Sequence, residues 1–192
     1  MLFVGILCNL LLAGITIANI IITKDGNILN EKNQLIKRGG LDDNDEDEEI
    51  NLIEICHKIE TTITGFTTEI FKGCESGNAV LVASKIEGII TSLSPLGDEC
   101  KKGFSLAPHE LQLFATAFLA ILHKFQAILF KVKKFPVIFK SSETILRACG
   151  IHFGVVLKFL ASFKFDIPGW AAAGGIDVKL YKTIGVPFGT SY

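Results

Sequence analysis

The chain has 192 residues, of which 49% are hydrophobic, and its mean hydropathy is +0.44. This length suits one ordinary domain, and the apolar content excludes disorder over most of the chain. Residues 50–192 carry 15 Lys and Arg against 11 Asp and Glu. Because a nucleic-acid-binding protein needs a denser basic face, we expect no nucleic-acid partner.

The N-terminal segment predicts export. Residues 2–23 contain no charged side chain, and Thr16-Ile17-Ala18 offers the small side chains that signal peptidase accepts. We therefore predict a signal peptide over residues 1–18, cleaved after Ala18, and a secreted protein of the extracellular space or cell wall. The alternative is an uncleaved membrane anchor, since about 20 apolar residues span a bilayer.

Residues 19–49 are interpreted as a propeptide or acidic linker. The dibasic pair Lys37-Arg38 is a candidate processing site, with cleavage after residue 38, and the alternative is two solvated charges. Residues 42–49 contain seven acidic side chains, which predict a disordered arm because like charges repel. The run lacks the glycine and the ligand spacing of a calcium-binding loop, so we expect no metal there.

Past residue 50 the apolar residues recur at helical spacing. The first stripe follows steps of three and four: Leu52, Cys56, Ile59, Ile63, Phe66 and Ile70. Gly73 is interpreted as a left-handed helix cap and Asn78 as the N-cap of a second helix. The second helix is expected to end before Pro95, because proline disrupts a helix interior. Residues 94–105, including Cys100, are interpreted as a loop.

Two longer helices follow. The third is expected to open near Ser105, to carry Pro108 in its first turn and to break at Pro136. The fourth is expected to start near Ser141-Ser142 and to end before Pro168. Residues 168–192 form a glycine-rich tail, predicted to be irregular or weakly β. For residues 50–167 we predict an all-α domain, an up-down-up-down antiparallel bundle of four helices.

The cysteines predict two disulfides. If Cys8 is lost with the signal peptide, Cys56, Cys74, Cys100 and Cys149 remain, an even number that suits an exported protein. Placement toward the ends of the bundle favours the pairs Cys56–Cys100 and Cys74–Cys149. The alternative is four buried free thiols.

Catalytic and metal-binding patterns are missing from the sequence. The histidines His57, His109, His123 and His152 have no zinc-ligand spacing, and no nucleophile elbow, phosphate loop or dinucleotide fingerprint occurs. We therefore expect no enzyme activity, no cofactor and no metal.

Phenylalanine is the unusual feature of the third and fourth helices. Bulky rings from two long helices either fill the centre of a bundle or line an apolar slot between the helices. The residues predicted to face a slot, and so to bind an apolar ligand, are Phe114, Phe118, Phe125, Phe153 and Phe159.

The layout of residues 50–165 resembles the fungal hydrophobic surface-binding protein A and cell-wall galactomannoprotein family. The resemblance rests on Ile55-x3-Ile59-x3-Ile63, Gly77-Asn78-Ala79, Ser105-Leu106 and Val156-Leu157-x-Phe159-Leu160. It implies a secreted or wall-associated helical protein that binds lipid or adsorbs to hydrophobic surfaces, with no catalytic residues. The chain departs from the family in its Phe-rich third helix, acidic arm and glycine-rich tail.

Two functional hypotheses follow. The first is a secreted non-enzymatic protein that binds a fatty acid or another lipid, or coats a hydrophobic surface with an opened bundle. The second is a structural or interaction protein, such as an effector, with a solid core and a partner in the cell wall or a host protein. Insertion of the third helix into a membrane is disfavoured, because His123 and Lys124 lie near its midpoint.

Overall fold

The computed structural model describes residues 51–189, and this range contains six helices and no strand. The prediction of an all-α domain is confirmed. The helices are α1 (Leu52–Glu75), α2 (Ala79–Lys102), α3 (Pro108–Lys133), α4 (Pro136–Ser162), α5 (Ile167–Ala173) and α6 (Val178–Lys182). Ala18, the pair Lys37-Arg38 and the acidic run at 42–49 lie outside the described residues.

Helix α1 is amphipathic in the predicted register. Its buried residues include Leu52, Cys56, Ile59, Ile63 and Ile70, while threonines and charged residues occupy the opposite face. The Asn51 side chain accepts a hydrogen bond from the Glu54 backbone N–H at 3.0 Å, which satisfies one of the free N–H groups at the start of the helix.

The turn between α1 and α2 uses a different glycine from the one predicted. Gly73 lies inside α1, where a Cβ would approach Val82 Cγ2 to 2.8 Å, so its missing side chain permits close contact between α1 and α2. Gly77 takes the left-handed conformation, with φ +70°. The predicted N-cap is confirmed, since Asn78 accepts from the Leu81 backbone N–H at 3.0 Å.

Helix α2 continues through Pro95 to Lys102, so the predicted end before this proline and the loop around Cys100 are wrong. Leu96, Gly97 and Cys100 are buried and extend the apolar stripe beyond the proline. The contacts of these residues with the core compensate for the hydrogen bond that Pro95 cannot donate, and the Pro95 ring is exposed to solvent.

Helices α3 and α4 each begin with a proline at a position where its missing N–H costs nothing. At the start of α3, the Glu110 carboxylate accepts from the Ala107 backbone N–H at 2.7 Å. Helix α4 starts at Pro136, earlier than the predicted Ser141-Ser142. Ser142 is fully buried rather than a cap.

The four long helices do not all pack against the helices that precede or follow them in the chain. Helix α1 packs along α2 and α3, and α2 packs along α4. Few backbone positions of α3 and α4 come close together, and these two helices meet through aromatic rings. The consecutive helices α2 and α3 are not a closely packed pair.

The described tail contains two short helices and no strand, so the prediction of a weakly β segment is wrong, whereas residues 174–177 and 183–189 are turns and irregular structure. Asp166 caps α5 by accepting from the Gly169 N–H at 3.1 Å, and Asp177 caps α6 by accepting from the Leu180 N–H at 3.0 Å. Helices this short are not stable alone, so contacts with the bundle fix their structure. Helix α5 packs on α4, and α6 packs on α3.

Candidate functional site

The candidate site is the aromatic cluster between α3 and α4. The structure brings together all five predicted residues, and each ring is buried. Phe153 on α4 lies between Phe125, at a centroid distance of 5.0 Å, and Phe118, at 6.1 Å. Toward the other end of the cluster, Phe114 lies 5.9 Å from Phe159. These rings contact one another, as expected of a tightly packed aromatic core.

The tail supplies further rings to the same cluster. Trp170 stacks on Phe118 with centroids 6.3 Å apart and an interplanar angle of 5°. Tyr181 packs edge-on to Phe153 at 6.0 Å, and Phe188 packs on Tyr181 at 5.6 Å. The side chains that occupy the predicted slot therefore belong to the chain itself.

The sequence prediction missed these three tail residues. Helical periodicity has no meaning over segments of seven and five residues, so the stripe count could not include them. The available signal was Asp166 and Asp177, each followed by apolar residues in the pattern of a capped helix. Recognition of those caps would have placed Trp170 and Tyr181 on short helices.

Glycines on α4 form the surface on which the end of the tail lies. A Cβ at Gly150 would overlap the backbone carbonyl oxygen of Ile184. One turn further along, a Cβ at Gly154 would lie 3.4 Å from Pro187 Cδ, which is an ordinary contact. Both glycines are buried. The backbone of the tail thus approaches α4 most closely at Gly150, where a side chain would not fit.

Two hydrogen bonds tie the tail to α3. The Tyr181 hydroxyl donates to the Leu122 backbone carbonyl, and the Asp177 backbone N–H donates to Gln126 Oε1 at 2.7 Å. Tyr181 is fully buried, and burial raises the pKa of its hydroxyl well above the ordinary value, because the phenolate would lose its hydration. Tyr181 is therefore a neutral donor in the folded protein.

The four described cysteines are buried free thiols, so neither predicted disulfide is present among residues 51–189. Burial raises the pKa of the Cys56 thiol, and the nearby Cys100 adds to this effect. Burial also raises the pKa of the Cys74 thiol, and the charge of Lys131 on α3 opposes this effect. Cys149 lies close enough to Tyr181 to add to the rise in the pKa of the Tyr181 hydroxyl. The different neighbours of Cys74 and Cys149 give no sign of the second predicted pair.

The described residues offer no arrangement for metal binding. No group of three His, Cys, Asp or Glu side chains within residues 51–189 is placed to hold an ion. Cys56 has His57 beside it in the chain, but His57 is exposed and its Nδ1 lies 3.9 Å from Glu60, whereas the Cys56 thiol points into the core. This pair therefore has no geometry for nucleophilic activation.

Helices α2, α3 and α4 are each long and apolar enough to cross a membrane, judged by length and composition. This finding contradicts the prediction of a secreted extracellular or cell-wall protein and points to a membrane protein instead. The sequence prediction considered the N-terminal segment and the third helix as spans, and it treated the apolar faces of the other helices as core alone.

Charge is distributed unevenly along the described chain. Residues 51–102 carry five Lys and Arg against seven Asp and Glu, and residues 103–189 carry ten against four. The formal charges are therefore −2 for α1 with α2 and +6 for α3 through the tail. The aromatic cluster thus lies in the positively charged part of the chain.

We find no match between the chain and protein-family models, curated proteins or solved structures. The resemblance to the fungal hydrophobic surface-binding family stays a prediction.

Proposed function

We propose that this chain is a non-enzymatic protein that binds lipid membranes, with α3 and α4 as the helices that contact lipid. The apolar partner expected from the sequence is thus a bilayer rather than a single soluble ligand. The observation that carries the proposal is the coincidence of long apolar helices with a formal charge of +6 in residues 103–189. Basic amphipathic helices bind anionic lipid surfaces through both properties.

An up-down-up-down bundle is part of the proposal. Three contacts support alternating directions. Glu69 late in α1 pairs with Lys85 early in α2 at 2.8 Å. Glu75 and Lys131 pair across the final turns of α1 and α3. Phe114 early in α3 packs on Phe159 late in α4.

The apolar faces of this bundle point inward. In the closed form α3 exposes His123 and Lys124 near its middle, and α4 exposes Arg147. A Lys or Arg at the centre of a bilayer costs about 2.5 to 3.5 kcal/mol. These charges favour helices that lie along the membrane surface, with the apolar face in lipid and the charged face in water.

Opening of the bundle on the membrane would place those faces in lipid. Val137 and Ile151, 78% and 69% exposed on α4, are apolar side chains available for the first contact with lipid. The same opening agrees with the hydrophobic surface-coating role implied by the family resemblance, which remains a proposal here.

A transmembrane bundle is the second candidate, favoured by the length and composition of α2, α3 and α4. In that arrangement the charged side chains of neighbouring helices would have to face one another rather than lipid. A structural protein with a solid core remains the alternative if the chain does not bind lipid.

Vesicle flotation tests the proposal. The full chain is expected to float with vesicles of phosphatidylcholine and phosphatidylglycerol, and less with phosphatidylcholine alone. Replacement of both Lys133 and Lys134 with Gln should weaken binding to the anionic vesicles by about 1 kcal/mol per lysine. The matched control replaces Lys58 and Lys72 on α1, which are also exposed, and should bind as the wild type does.

Two outcomes would contradict the proposal. Absence of binding to either vesicle would leave the structural protein as the explanation. If the replacements on α1 weaken vesicle binding as much as those of Lys133 and Lys134, attraction to the membrane depends on the total charge and not on α3 and α4.

A further inference from the structure

The tail lies against the apolar groove between α3 and α4. On the α3 side it contacts Phe118 through Trp170 and Phe125 through Tyr181. On the α4 side it contacts Phe153 through Tyr181, and the Ile184 backbone lies against Gly150. Few backbone positions of α3 and α4 come close together, and the tail rings pack against the Phe side chains that lie between the two helices.

The short helices of the tail are held in place by side-chain contacts and not by their own backbone hydrogen bonds. Helices α5 and α6 span seven and five residues, far below the length at which a helix is stable alone. Ring contacts hold these segments on the long helices, and two hydrogen bonds, from the Tyr181 hydroxyl to the Leu122 carbonyl and from the Asp177 N–H to Gln126, tie α6 to α3. Segments of this kind open before the rest of a fold.

Departure of the tail would expose a continuous aromatic surface. Phe118, Phe125 and Phe153 have no exposure in the closed protein, and all three contact tail rings. Exposure of this surface to water is unfavourable unless another apolar partner covers it. Exposed Lys179 and Lys182 on α6 would draw the tail itself toward an anionic headgroup layer.

We propose that the α3–α4 groove is a binding site for lipid acyl chains, that residues 167–189 occupy it in the absence of lipid, and that anionic membranes displace them. This inference rests on the proposed function and adds the site and its resident occupant. The tail then covers the apolar surface until the protein contacts a membrane.

A reversible covalent lock tests the displacement. A Cβ at Gly174 would lie 2.7 Å from Leu119 Cδ1, so Leu119→Cys with Gly174→Cys places two thiols across the contact between tail and α3. The native cysteines are replaced with Ala in this variant. The oxidised form is expected to bind phosphatidylcholine and phosphatidylglycerol vesicles several-fold more weakly than the reduced form of the same variant.

A pair of glycine variants tests the same point without a disulfide. Gly150→Ala forces the Ile184 carbonyl away and loosens the tail, so vesicle binding should rise several-fold. Gly154→Ala is the matched control on the same helix, because its methyl group makes an ordinary contact with Pro187. The gain in helix propensity is shared by both variants.

The outcomes separate the two proposals. If wild type and reduced protein bind vesicles and the oxidised form binds equally well, the displacement is wrong while membrane binding stands. Equal binding by the two glycine variants contradicts the displacement in the same way. If no form binds vesicles, the proposed function fails, and the groove loses its lipid ligand with it.

Discussion

Tyr181 is the residue at which tail and bundle meet. Its ring contacts Phe125, Phe153 and Phe188, and its hydroxyl donates to the Leu122 carbonyl. A buried phenol is stable there only as the neutral, hydrogen-bonded form. Tyr181 therefore contributes both packing and a pH-sensitive hydrogen bond to the closure of the groove.

Tyr181→Phe removes the hydroxyl and keeps the ring. At neutral pH the variant should be less stable than wild type by about 1 kcal/mol, the net value of a typical hydrogen bond. Since the pKa of Tyr181 is raised in the folded protein, the contribution of its hydroxyl is complete below the unfolded pKa of about 10 and is lost as pH rises further. Urea unfolding of both proteins across this pH range measures the difference.

The comparison contains its own control, because the raised thiol pKa of Cys56 affects wild type and variant alike. The difference in unfolding free energy should shrink above about pH 10. A difference that stays constant through the alkaline range would show that the Tyr181 hydroxyl is not held in the buried contact with Leu122.

At the residue scale, the sequence predicted the five Phe residues of the aromatic cluster and missed its three tail residues. Phe114, Phe118 and Phe125 repeat at helical steps, so their shared face was accessible from spacing alone. Trp170 and Tyr181 were not, since their positions depend on tertiary contact and not on periodicity. The shared face of these Phe residues was therefore anticipated, and the tail rings that pack on it were not.

At the scale of the single helix, the position that needs explanation is Pro95, which lies inside α2. The ring has no N–H for the backbone carbonyl one turn earlier, yet α2 continues for another seven residues. Burial of Leu96 and Cys100 supplies the compensating energy. The predicted helix end followed the rule that proline disrupts a helix interior. It missed the apolar stripe, which continues from Leu93 through Leu96 to Cys100.

Pro95→Ala should stabilise the protein by about 1 to 3 kcal/mol, because alanine restores the missing hydrogen bond and removes a steric clash in a helix interior. Pro108→Ala is the control at the first residue of α3, where proline is already favourable. It should be neutral or slightly destabilising. Both variants gain the same freedom in the unfolded chain.

Thermal unfolding of the two variants checks this prediction. If Pro95→Ala changes stability no more than Pro108→Ala does, Pro95 lies at a helix end, as the sequence alone indicated, and α2 is two shorter elements.

At the scale of the whole molecule, the sequence predicts the directions of the helices but not which helices are neighbours. Short connections predict that consecutive helices reverse direction, and the stripes predict which residues are buried. Neither determines that α2 packs on α4 and α1 on α3. That choice depends on where aromatic rings and glycines such as Gly73 and Gly150 permit close approach, which one stripe considered alone does not reveal.

The closed bundle buries most of its large apolar side chains and keeps its charged side chains at the surface. The same helices are long and apolar enough for a bilayer, and the positive charge lies with α3, α4 and the tail. A protein with both properties can replace its internal contacts with lipid contacts if the free energy of lipid binding is at least as large as the free energy of opening. The central claim is therefore that lipid reaches the aromatic core.

Quenching of a core tryptophan by brominated lipid tests this claim most directly. The single native tryptophan, Trp170, is replaced with Phe, and a reporter is introduced as Phe159→Trp in the core or, as the exposed control on α4, Ile151→Trp. On vesicles with bromine deep in the acyl chains, the bound core reporter should be strongly quenched. Binding with quenching of only the exposed reporter would mean that the bundle adsorbs closed, and would contradict the account.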